Sequence, residues 1–457
     1  MEKNNVSTQT TDSALSRRNF LTATGTLAAA ACAPTVAWGA VAPDDKPAIL
    51  GGINLGSIKS AQWPEIQGTE TKLLSEVAQS RHWCRTSTEA KFDKTFEARY
   101  AKLCGTKHCI VTNSGTSALN TSMAALGVGP GDQVITTPYT FIATINSILL
   151  HYALPIIVDI DPDSFQIDPV KMEKAITADT KVLLPVHIGG YPADLGSIMK
   201  IAKAHKLPVV EDACQAHLGR WNGKALGSIG TTGCFSFQVS KNLCCGDGGA
   251  VITSDDALAN ALYACHGNSR GNVASYNFTY MPVRASNYRM NEFAGAILCS
   301  QIEQVEKNTA IRNANGLYLN SLLKDIPGVY PAKIYEGGQS AWHLYMFRID
   351  PKELGLSRDK FLAAMAAEGL PGWGGYSAQD WVGYIRKVYS TKAARRVYSE
   401  KMLDDWAQST ILPNFKQRCT EIVWFGQTAM LAPKSDMDKI ATAIRRIQKH
   451  AQAIAAK

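Results

Sequence analysis

The chain has 457 residues, of which 46% are hydrophobic and 19% charged, a balance typical of a globular protein with one very large domain or two ordinary ones. Its formal net charge of +8 is not gathered into a basic run or a basic-aromatic stripe, so the composition does not indicate nucleic-acid binding. The eleven cysteines include no Cys-x-x-Cys pair and no His/Cys cluster has zinc spacing, so we expect free thiols and no metal site.

The first 40 residues are predicted to be an export signal. Residues 16–21 read Ser-Arg-Arg-Asn-Phe-Leu, a twin-arginine signature, and an alanine-rich apolar stretch follows as far as about Ala40. Gly25 and Pro34 interrupt that stretch, which is typical of a signal peptide and not of a membrane anchor. We therefore expect export by the twin-arginine route to the periplasm or another extracytoplasmic compartment, without stable membrane insertion. An uncleaved N-terminal tail is the alternative.

Beyond an irregular arm over residues 41–90, strand and helix patterns alternate. The predicted strands are Cys109–Asn113, Gln133–Thr136, Pro155–Val158, Val182–Val186, Pro208–Glu211 and Ala250–Thr253. The predicted helices are Glu70–Gln79, Phe92–Leu103, Thr116–Leu126, Phe141–Tyr152, Val170–Ile176, Leu195–Ala204 and Asp256–His266. Nearly continuous apolar strands that alternate with helices favour an α/β fold with a mostly parallel sheet covered on both faces.

A second unit is predicted after this region. A long helix, Asn291–Leu323, would lead to it, and the unit itself would begin near Val329. Its predicted elements are the strand His343–Ile349 and the helices Arg358–Glu368 and Met437–Ala455. We accordingly predict a large domain over residues 41–310, including the N-terminal arm, and a smaller C-terminal domain over 311–457.

The first chemical motif is Asn113–Leu119, which joins a predicted strand to the start of a helix. Free backbone N–H groups and the helix dipole favour a bound phosphate at such a point. Gly115 would let the backbone approach a ligand closely, and Thr116 or Ser117 could add a hydroxyl group. Ordinary helix capping by Ser114 or Thr116 accounts for the same residues equally well.

Two further segments fall at predicted strand ends. Residues 138–144, Pro-Tyr-Thr-Phe-Ile-Ala-Thr, place an aromatic side chain where it could stack on a flat heterocycle, although it could also belong to the core. Residues 208–217 place a carboxylate at the C-terminal end of a buried strand, where ligands of open α/β sheets bind. That carboxylate could pair with a protonated ring nitrogen, or it could cap the next helix.

Lys241 lies in a polar turn within residues 235–243, Phe-Ser-Phe-Gln-Val-Ser-Lys-Asn-Leu, and the glycine-rich residues 246–249 follow. A lysine held by rigid backbone can form a Schiff base with an aldehyde cofactor, whereas most lysines in loops are simply solvated. The four motifs together supply a phosphate site, an aromatic ring, an acid and a lysine, in that order and at strand ends. This set matches the requirements of pyridoxal phosphate.

These motifs, with residues 287–292, resemble the DegT/DnrJ/EryC1/StrS aminotransferases, the sugar and cyclitol branch of the fold type I enzymes that use pyridoxal 5'-phosphate. The resemblance runs from about residue 70 to the C-terminus. It implies a large domain with a mostly parallel sheet, a smaller C-terminal α/β domain, and a homodimer with shared active sites. Two departures are that Asp247 replaces the usual glutamate of Gly-Glu-Gly-Gly, and that Cys244 and Cys245 replace small hydroxylated residues.

The resemblance also implies a role for individual residues. Lys241 would carry the Schiff base and Asp212 would hold the pyridine nitrogen, which makes these two the predicted catalytic residues. The remaining predicted cofactor contacts are Phe141 on the ring, Gln215 at the ring hydroxyl, Gly115, Thr116 and Ser236 at the phosphate, and Asn287 at the phosphate of the neighbouring subunit.

The function that the resemblance implies is amino transfer from glutamate or glutamine to a keto-sugar or keto-cyclitol. Low-ranking candidates for the substrate pocket are His187, Tyr191, His217, Trp342 and His343. A lyase or dehydratase that uses the same cofactor is one alternative, although the related dehydratases carry histidine in place of the lysine. A non-catalytic, exported carbohydrate-binding protein on the same scaffold is another.

Overall fold

A central β-sheet organises the chain, which a computed structural model describes over residues 45–271, 280–370 and 372–457. The predicted export signal over residues 1–40 lies outside the described residues. In spatial order, the strands of the sheet are His108–Thr112, Gly249–Thr253, Thr232–Ser236, Val210–Asp212, Thr180–Leu184, Gln133–Thr136 and Leu154–Ile157. Gly249–Thr253 is antiparallel to both of its neighbours, and the other pairings are parallel. The mostly parallel sheet predicted from the sequence is thereby confirmed.

Both faces of this sheet are buried because neighbouring residues of each strand enter different cores. Ile110 packs in one apolar cluster with Leu119, from the helix that follows its strand. Cys109 and Val111, on either side of Ile110, pack in another cluster with Phe96. This alternation has the period of two expected of strands, and burial on both faces explains why the strands are apolar throughout.

A second sheet, entirely antiparallel, lies in the C-terminal part of the chain. In spatial order, its strands are Val329–Pro331, Leu344–Ile349, Ile422–Gly426 and Trp373–Gly374. A small sheet joins Arg220–Trp221 to Lys224–Ala225 and to Gly338–Gln339. The predicted domain boundary at residue 310 falls within a helix, and the division at that point stays a prediction.

The helices follow most of the predicted positions. Those of six or more residues are Thr69–Ser80, Phe92–Cys104, Gly115–Ala125, Ile142–Leu149, Pro169–Lys174, Leu195–His205, Asp256–His266, Glu292–Gln301, Val305–Leu323, Arg358–Ala367, Trp381–Val388, Glu400–Ser409, Pro413–Arg418 and Lys434–Lys449. In the described part of the chain, shorter helices span Pro351–Leu354 and Ala451–Ala455, and five further segments of three residues are 3-10 helices. No helix of the described ranges is long and apolar enough to cross a membrane.

The single long helix predicted over Asn291–Leu323 is wrong. The structure has two α-helices there, separated by the 3-10 turn Ile302–Gln304. The side-chain amides of Gln301 and Gln304 both donate to the carbonyl of Glu65, at 2.9 and 3.1 Å, so the N-terminal arm crosses at the break. A contact this distant in sequence leaves no trace in local periodicity.

Asp93, at the start of the helix Phe92–Cys104, is a buried carboxylate. Neither of its oxygens has a hydrogen-bond partner among the described residues. Burial raises the pKa of Asp93 well above its ordinary value, and the positive charge of Arg85 opposes that shift. Because the guanidinium of Arg85 is already bound to Glu97 at 2.8 and 3.1 Å, burial prevails.

Asp93→Asn should therefore remove a stability loss that grows with pH. A carboxyl group with a raised pKa stabilises the fold fully below its unfolded-state pKa, and this contribution is lost as the pH rises through the folded-state pKa. Above the unfolded-state pKa of the carboxyl group, the free energy of unfolding of the variant should rise relative to wild type with increasing pH, by up to about 1.4 kcal/mol for each pH unit below the folded-state pKa. Urea unfolding at several pH values measures this, with the exposed Asp325→Asn as control. Parallel curves for wild type and Asp93→Asn would contradict the expectation.

Candidate active site

A cavity of about 530 Å³ lies where the strands of the central sheet end. Its size is that of a site for a small molecule or cofactor. The residues at or just after the ends of parallel strands that line it include Ser114, Gly115, Thr116, Thr140, Phe141, Val186, Asp212, Cys214 and Ser236. A larger groove, of about 640 Å³, follows the edge strand Leu154–Ile157, and none of the four sequence motifs reaches it. The four motifs therefore converge on the smaller cavity, which is the candidate active site.

The helix Gly115–Ala125 presents its N-terminus to this cavity. Ser114 caps the helix by accepting from the N–H of Ser117 at 3.1 Å, and the first helical bond runs from the N–H of Ala118 to the carbonyl of Ser114 at 3.0 Å. The N–H groups of Gly115 and Thr116 precede that bond, so the helix itself does not satisfy them. Capping and anion binding, which the sequence left as alternatives, are thus compatible at this helix.

Gly115 also packs directly against Ser236, at the end of a neighbouring strand. A Cβ atom on Gly115 would lie 2.7 Å from the Cβ atom of Ser236 and 2.9 Å from the Sγ atom of Cys214. Only glycine fits this contact. It brings the Ser236 side chain next to the helix N-terminus, so a hydroxyl group and free N–H groups converge on one point.

Asp212 occupies the floor of the cavity and is held by two donors. Its Oδ2 atom accepts from the hydroxyl of Thr144 at 2.7 Å, and its Oδ1 atom accepts from the N–H of Cys214 at 3.2 Å. Thr140 lies 2.7 Å from the Thr144 hydroxyl. Because the carboxylate can only accept, Thr144 donates to Asp212 and Thr140 donates to Thr144. These two donors fix the orientation of the carboxylate.

Lys241 reaches the same cavity from a tightly bonded turn. Its N–H donates to the carbonyl of Gln238 at 2.8 Å, and the N–H of Val239 donates to Gly246 at 2.8 Å. The indole of Trp63, from the N-terminal arm, donates to the carbonyl of Val239 at 2.8 Å. Burial lowers the pKa of Lys241, although the negative charge of Asp212 opposes this shift. A lysine with a lowered pKa is present more often as the neutral amine near neutral pH, the form that can act as a nucleophile or accept a proton.

Aromatic and amide side chains complete the walls. Phe141 is 58% exposed although it is a large apolar residue, and it lines the cavity. Gln215 accepts from the N–H of Gly189 at 2.7 Å, and its side chain also bonds to Tyr376. Tyr376 stands edge-on to Trp424, with ring centroids 4.9 Å apart. These groups offer flat faces and hydrogen-bonding groups to a ring.

The structure brings seven of the eight predicted site residues to this cavity: Gly115, Thr116, Phe141, Asp212, Gln215, Ser236 and Lys241. Asn287 is exposed and does not line it. The roles assigned to all eight at a cofactor stay predictions. Tyr376, Trp424 and Leu344 also line the cavity. Sequence reasoning missed these three because they follow none of the strands of the large sheet.

Of the five low-ranking pocket candidates, only His343 lines the cavity. His187 is bound to Glu211 at 2.9 Å, Tyr191 accepts from the N–H of Met346 at 3.2 Å, and Trp342 donates to Asn313 at 3.1 Å. These three are fully buried, so the prediction that they face a substrate is wrong. The side chains of His187, Tyr191 and Trp342 form hydrogen bonds inside the protein instead.

His217 is also buried behind the wall and does not line the cavity. Its ring lies between the side chains of Phe235 and Phe237, with centroid distances of 5.3 and 5.4 Å. The prediction that His217 faces a substrate is therefore wrong as well.

Known proteins resemble the chain over most of its length. The model of the DegT/DnrJ/EryC1/StrS aminotransferase family matches residues 64–423. The spore coat polysaccharide biosynthesis protein SpsC of Bacillus subtilis is 36% identical over 280 residues, which are 60% of this chain and 72% of that protein. The L-glutamine:scyllo-inosose aminotransferase of Streptomyces griseus is 29% identical over 420 residues, which are 88% of this chain and 98% of that protein. The crystal structure of 3-amino-5-hydroxybenzoic acid synthase superposes with a TM-score of 0.73 at 26% identity, covering 86% of this chain and 99% of that one.

Proposed function

The chain belongs to the DegT/DnrJ/EryC1/StrS aminotransferase family of fold type I enzymes, whose cofactor is pyridoxal 5'-phosphate, and on that premise we propose that it transfers an amino group from glutamate or glutamine to a keto-sugar or keto-cyclitol. The observation that carries the proposal is the convergence of Lys241, Asp212 and a helix N-terminus on one cavity. The name of the Streptomyces griseus relative, which states a glutamine donor and an inosose acceptor, supports the choice of donor and acceptor.

The residues of the cavity fit this cofactor. The helix N-terminus at Gly115 and Thr116, with Ser236, would hold a phosphate group. The exposed face of Phe141 would cover a ring, Asp212 would pair with the ring nitrogen, and Gln215 would bond to the ring hydroxyl. Lys241 would bind the aldehyde carbon. When bound, pyridoxal phosphate serves as an electron sink for the negative charge that develops on a substrate carbon.

The chain's own groups would then move the proton and stabilise charge. Lys241, with its lowered pKa, would accept the proton from the α-carbon of the donor. In the second half of the reaction it would donate a proton to the acceptor carbon that receives the amino group. Asp212, oriented by Thr144 and the N–H of Cys214, would stabilise the positive charge on the ring nitrogen.

The first experiment is a visible absorption spectrum of the purified protein, before and after glutamate or glutamine is added. We expect a yellow protein that loses its visible band with one of these donors. A band that is retained with both donors would favour a lyase or dehydratase. A protein that stays colourless after incubation with pyridoxal phosphate would overturn the enzyme function and leave the carbohydrate-binding alternative.

We also propose that a second copy of the chain completes the site with Asn287. The exposed side chain of Asn287 and its absence from the cavity of its own chain are consistent with that role. Mixing Lys241→Ala chains with Asn287→Ala chains tests this, because a shared site would regain activity in the mixed dimer. A monomer in sedimentation would contradict it.

Export by the twin-arginine route is proposed from the signature at residues 16–21 and the apolar stretch that follows it as far as about Ala40. It would place the reaction in the periplasm or another extracytoplasmic compartment. N-terminal sequencing of the protein from that fraction should begin near residue 40. A full-length protein confined to the cytoplasm would contradict export.

A further inference from the structure

Three buried polar groups form a chain behind the cavity wall. The hydroxyl of Tyr100 lies 2.8 Å from Nδ1 of His217, and Nε2 of His217 lies 2.8 Å from the carbonyl oxygen of Ser236. Tyr100 and His217 are each 1% exposed. None of the roles proposed above uses Tyr100 or His217.

The direction of each hydrogen bond follows from the chemistry of the partners. The carbonyl of Ser236 can only accept, so Nε2 of His217 carries the proton. Burial lowers the pKa of His217 to about 4, so the ring is neutral near pH 7 and Nδ1 must accept from the hydroxyl of Tyr100. The Ser236 carbonyl therefore fixes the tautomer, and Tyr100 holds the ring in place by donating to Nδ1.

Ser236 needs this donor because it extends beyond its neighbouring strand. The pairing of Thr232–Ser236 with Val210–Asp212 ends at Cys234, opposite Asp212. On the other side of the strand, the N–H of Phe237 donates to Gly248 at 2.7 Å, so the carbonyl of Ser236 faces the side where pairing has ended. His217 supplies the hydrogen bond that a paired strand would otherwise donate to this carbonyl.

The side chain of Ser236 faces the N-terminus of the helix Gly115–Ala125. Ser236 Oγ accepts from the N–H of Gln238 at 3.3 Å, which leaves its proton free to donate into the cavity. Its Cβ atom is the one that would meet a side chain on Gly115 at 2.7 Å. A small shift of the Ser236 backbone would therefore separate its hydroxyl from the N–H groups of Gly115 and Thr116.

We propose that His217, oriented by Tyr100, is a positioning residue for phosphate binding, because it fixes the backbone of Ser236 against the helix N-terminus. The inference rests on the proposed function, since it assumes that this point of the cavity binds the phosphate of the cofactor. The proposed role distinguishes binding of the cofactor's phosphate from binding of its ring. Loss of His217 should weaken contacts to the phosphate and leave contacts to the ring intact.

The test compares two ligands that differ only in the phosphate. The full-length protein, dialysed free of cofactor, is titrated with pyridoxal phosphate and with pyridoxal, and binding is followed by the visible band. In His217→Phe, which keeps an aromatic ring between Phe235 and Phe237, the affinity for pyridoxal phosphate should fall about tenfold and the affinity for pyridoxal should not change. His217→Gln, whose amide can donate to Ser236, should recover most of the loss.

If His217→Phe does not fold, Tyr100→Phe tests the positioning role instead. It should reduce the affinity for pyridoxal phosphate selectively, by a smaller factor. Tyr398→Phe is the matched control, because it removes a buried hydroxyl that bonds to Tyr152 and Gly131, away from the cavity. Equal losses for both ligands, or no loss for either, would overturn the positioning role. A wild-type protein that binds no pyridoxal phosphate would instead overturn the proposed function.

Discussion

Lys241→Ala should lower the rate of amino transfer by roughly 10³-fold or more. Lys241 is the one lysine among the described residues that line the cavity, and no other amine there can replace it as nucleophile and base. The variant should fold, because the turn that holds Lys241 is bonded through backbone groups of Gln238, Val239 and Gly246. Initial rates with the preferred donor measure the effect, and thermal unfolding checks the fold.

Lys174→Ala is the matched control for this experiment. Lys174 is exposed and lines the larger groove along the edge strand, so its loss should leave the rate unchanged. The pair of variants therefore also tests which of the two cavities is the active site. Full turnover in Lys241→Ala would contradict the assignment, and so would a large loss confined to Lys174→Ala.

Asp212→Asn should lower the rate of amino transfer by about 10²–10³-fold, with a smaller effect on folding stability. The amide keeps the size of the side chain but removes the charge that would stabilise a protonated ring nitrogen. The N–H of Cys214 can still donate to the amide oxygen, and the hydroxyl of Thr144 can accept from the amide NH2 group, so the side chain should remain in place. Single-turnover rates with bound cofactor measure the effect.

Glu211→Gln provides the contrast from the adjacent residue of the same strand. Neighbouring strand residues point to opposite faces, and Glu211 accepts from the N–H groups of Gly227, Ile229 and Gly230 at 2.8, 2.8 and 2.6 Å. Its replacement should lower the free energy of unfolding by about 1–3 kcal/mol and leave the rate per folded molecule unchanged. If Asp212→Asn retained the wild-type rate, the catalytic role of Asp212 would be refuted.

The sequence predicted correctly those elements whose bounds depend on neighbouring residues. Gln133–Thr136 and Asp256–His266 have the predicted bounds, because each combines one clear period with a definite end signal. The motifs around Gly115, Asp212 and Lys241 were found for a similar reason. Each sits where a strand ends, and the strand pattern indicates that place.

Contacts between distant segments were the part that local patterns missed. His187 was a candidate for the substrate pocket, yet Glu211 binds it inside the core. Gln301 and Gln304 fit a continuous helix, yet the arm residue Glu65 bonds to both at the point where the helix breaks. In each case a partner far away in the chain decided the outcome.

Periodicity and short motifs act over a few residues, so they were sufficient to predict the fold class, the order of the strands along the chain and the chemical groups at their ends. They did not predict which of these groups share one cavity, which depends on how distant segments pack. Tyr376 and Trp424 reach it from the C-terminal part, and His217 supports it from behind. The physical reason is that side-chain packing and hydrogen bonding depend on distance in space, which local sequence patterns do not encode.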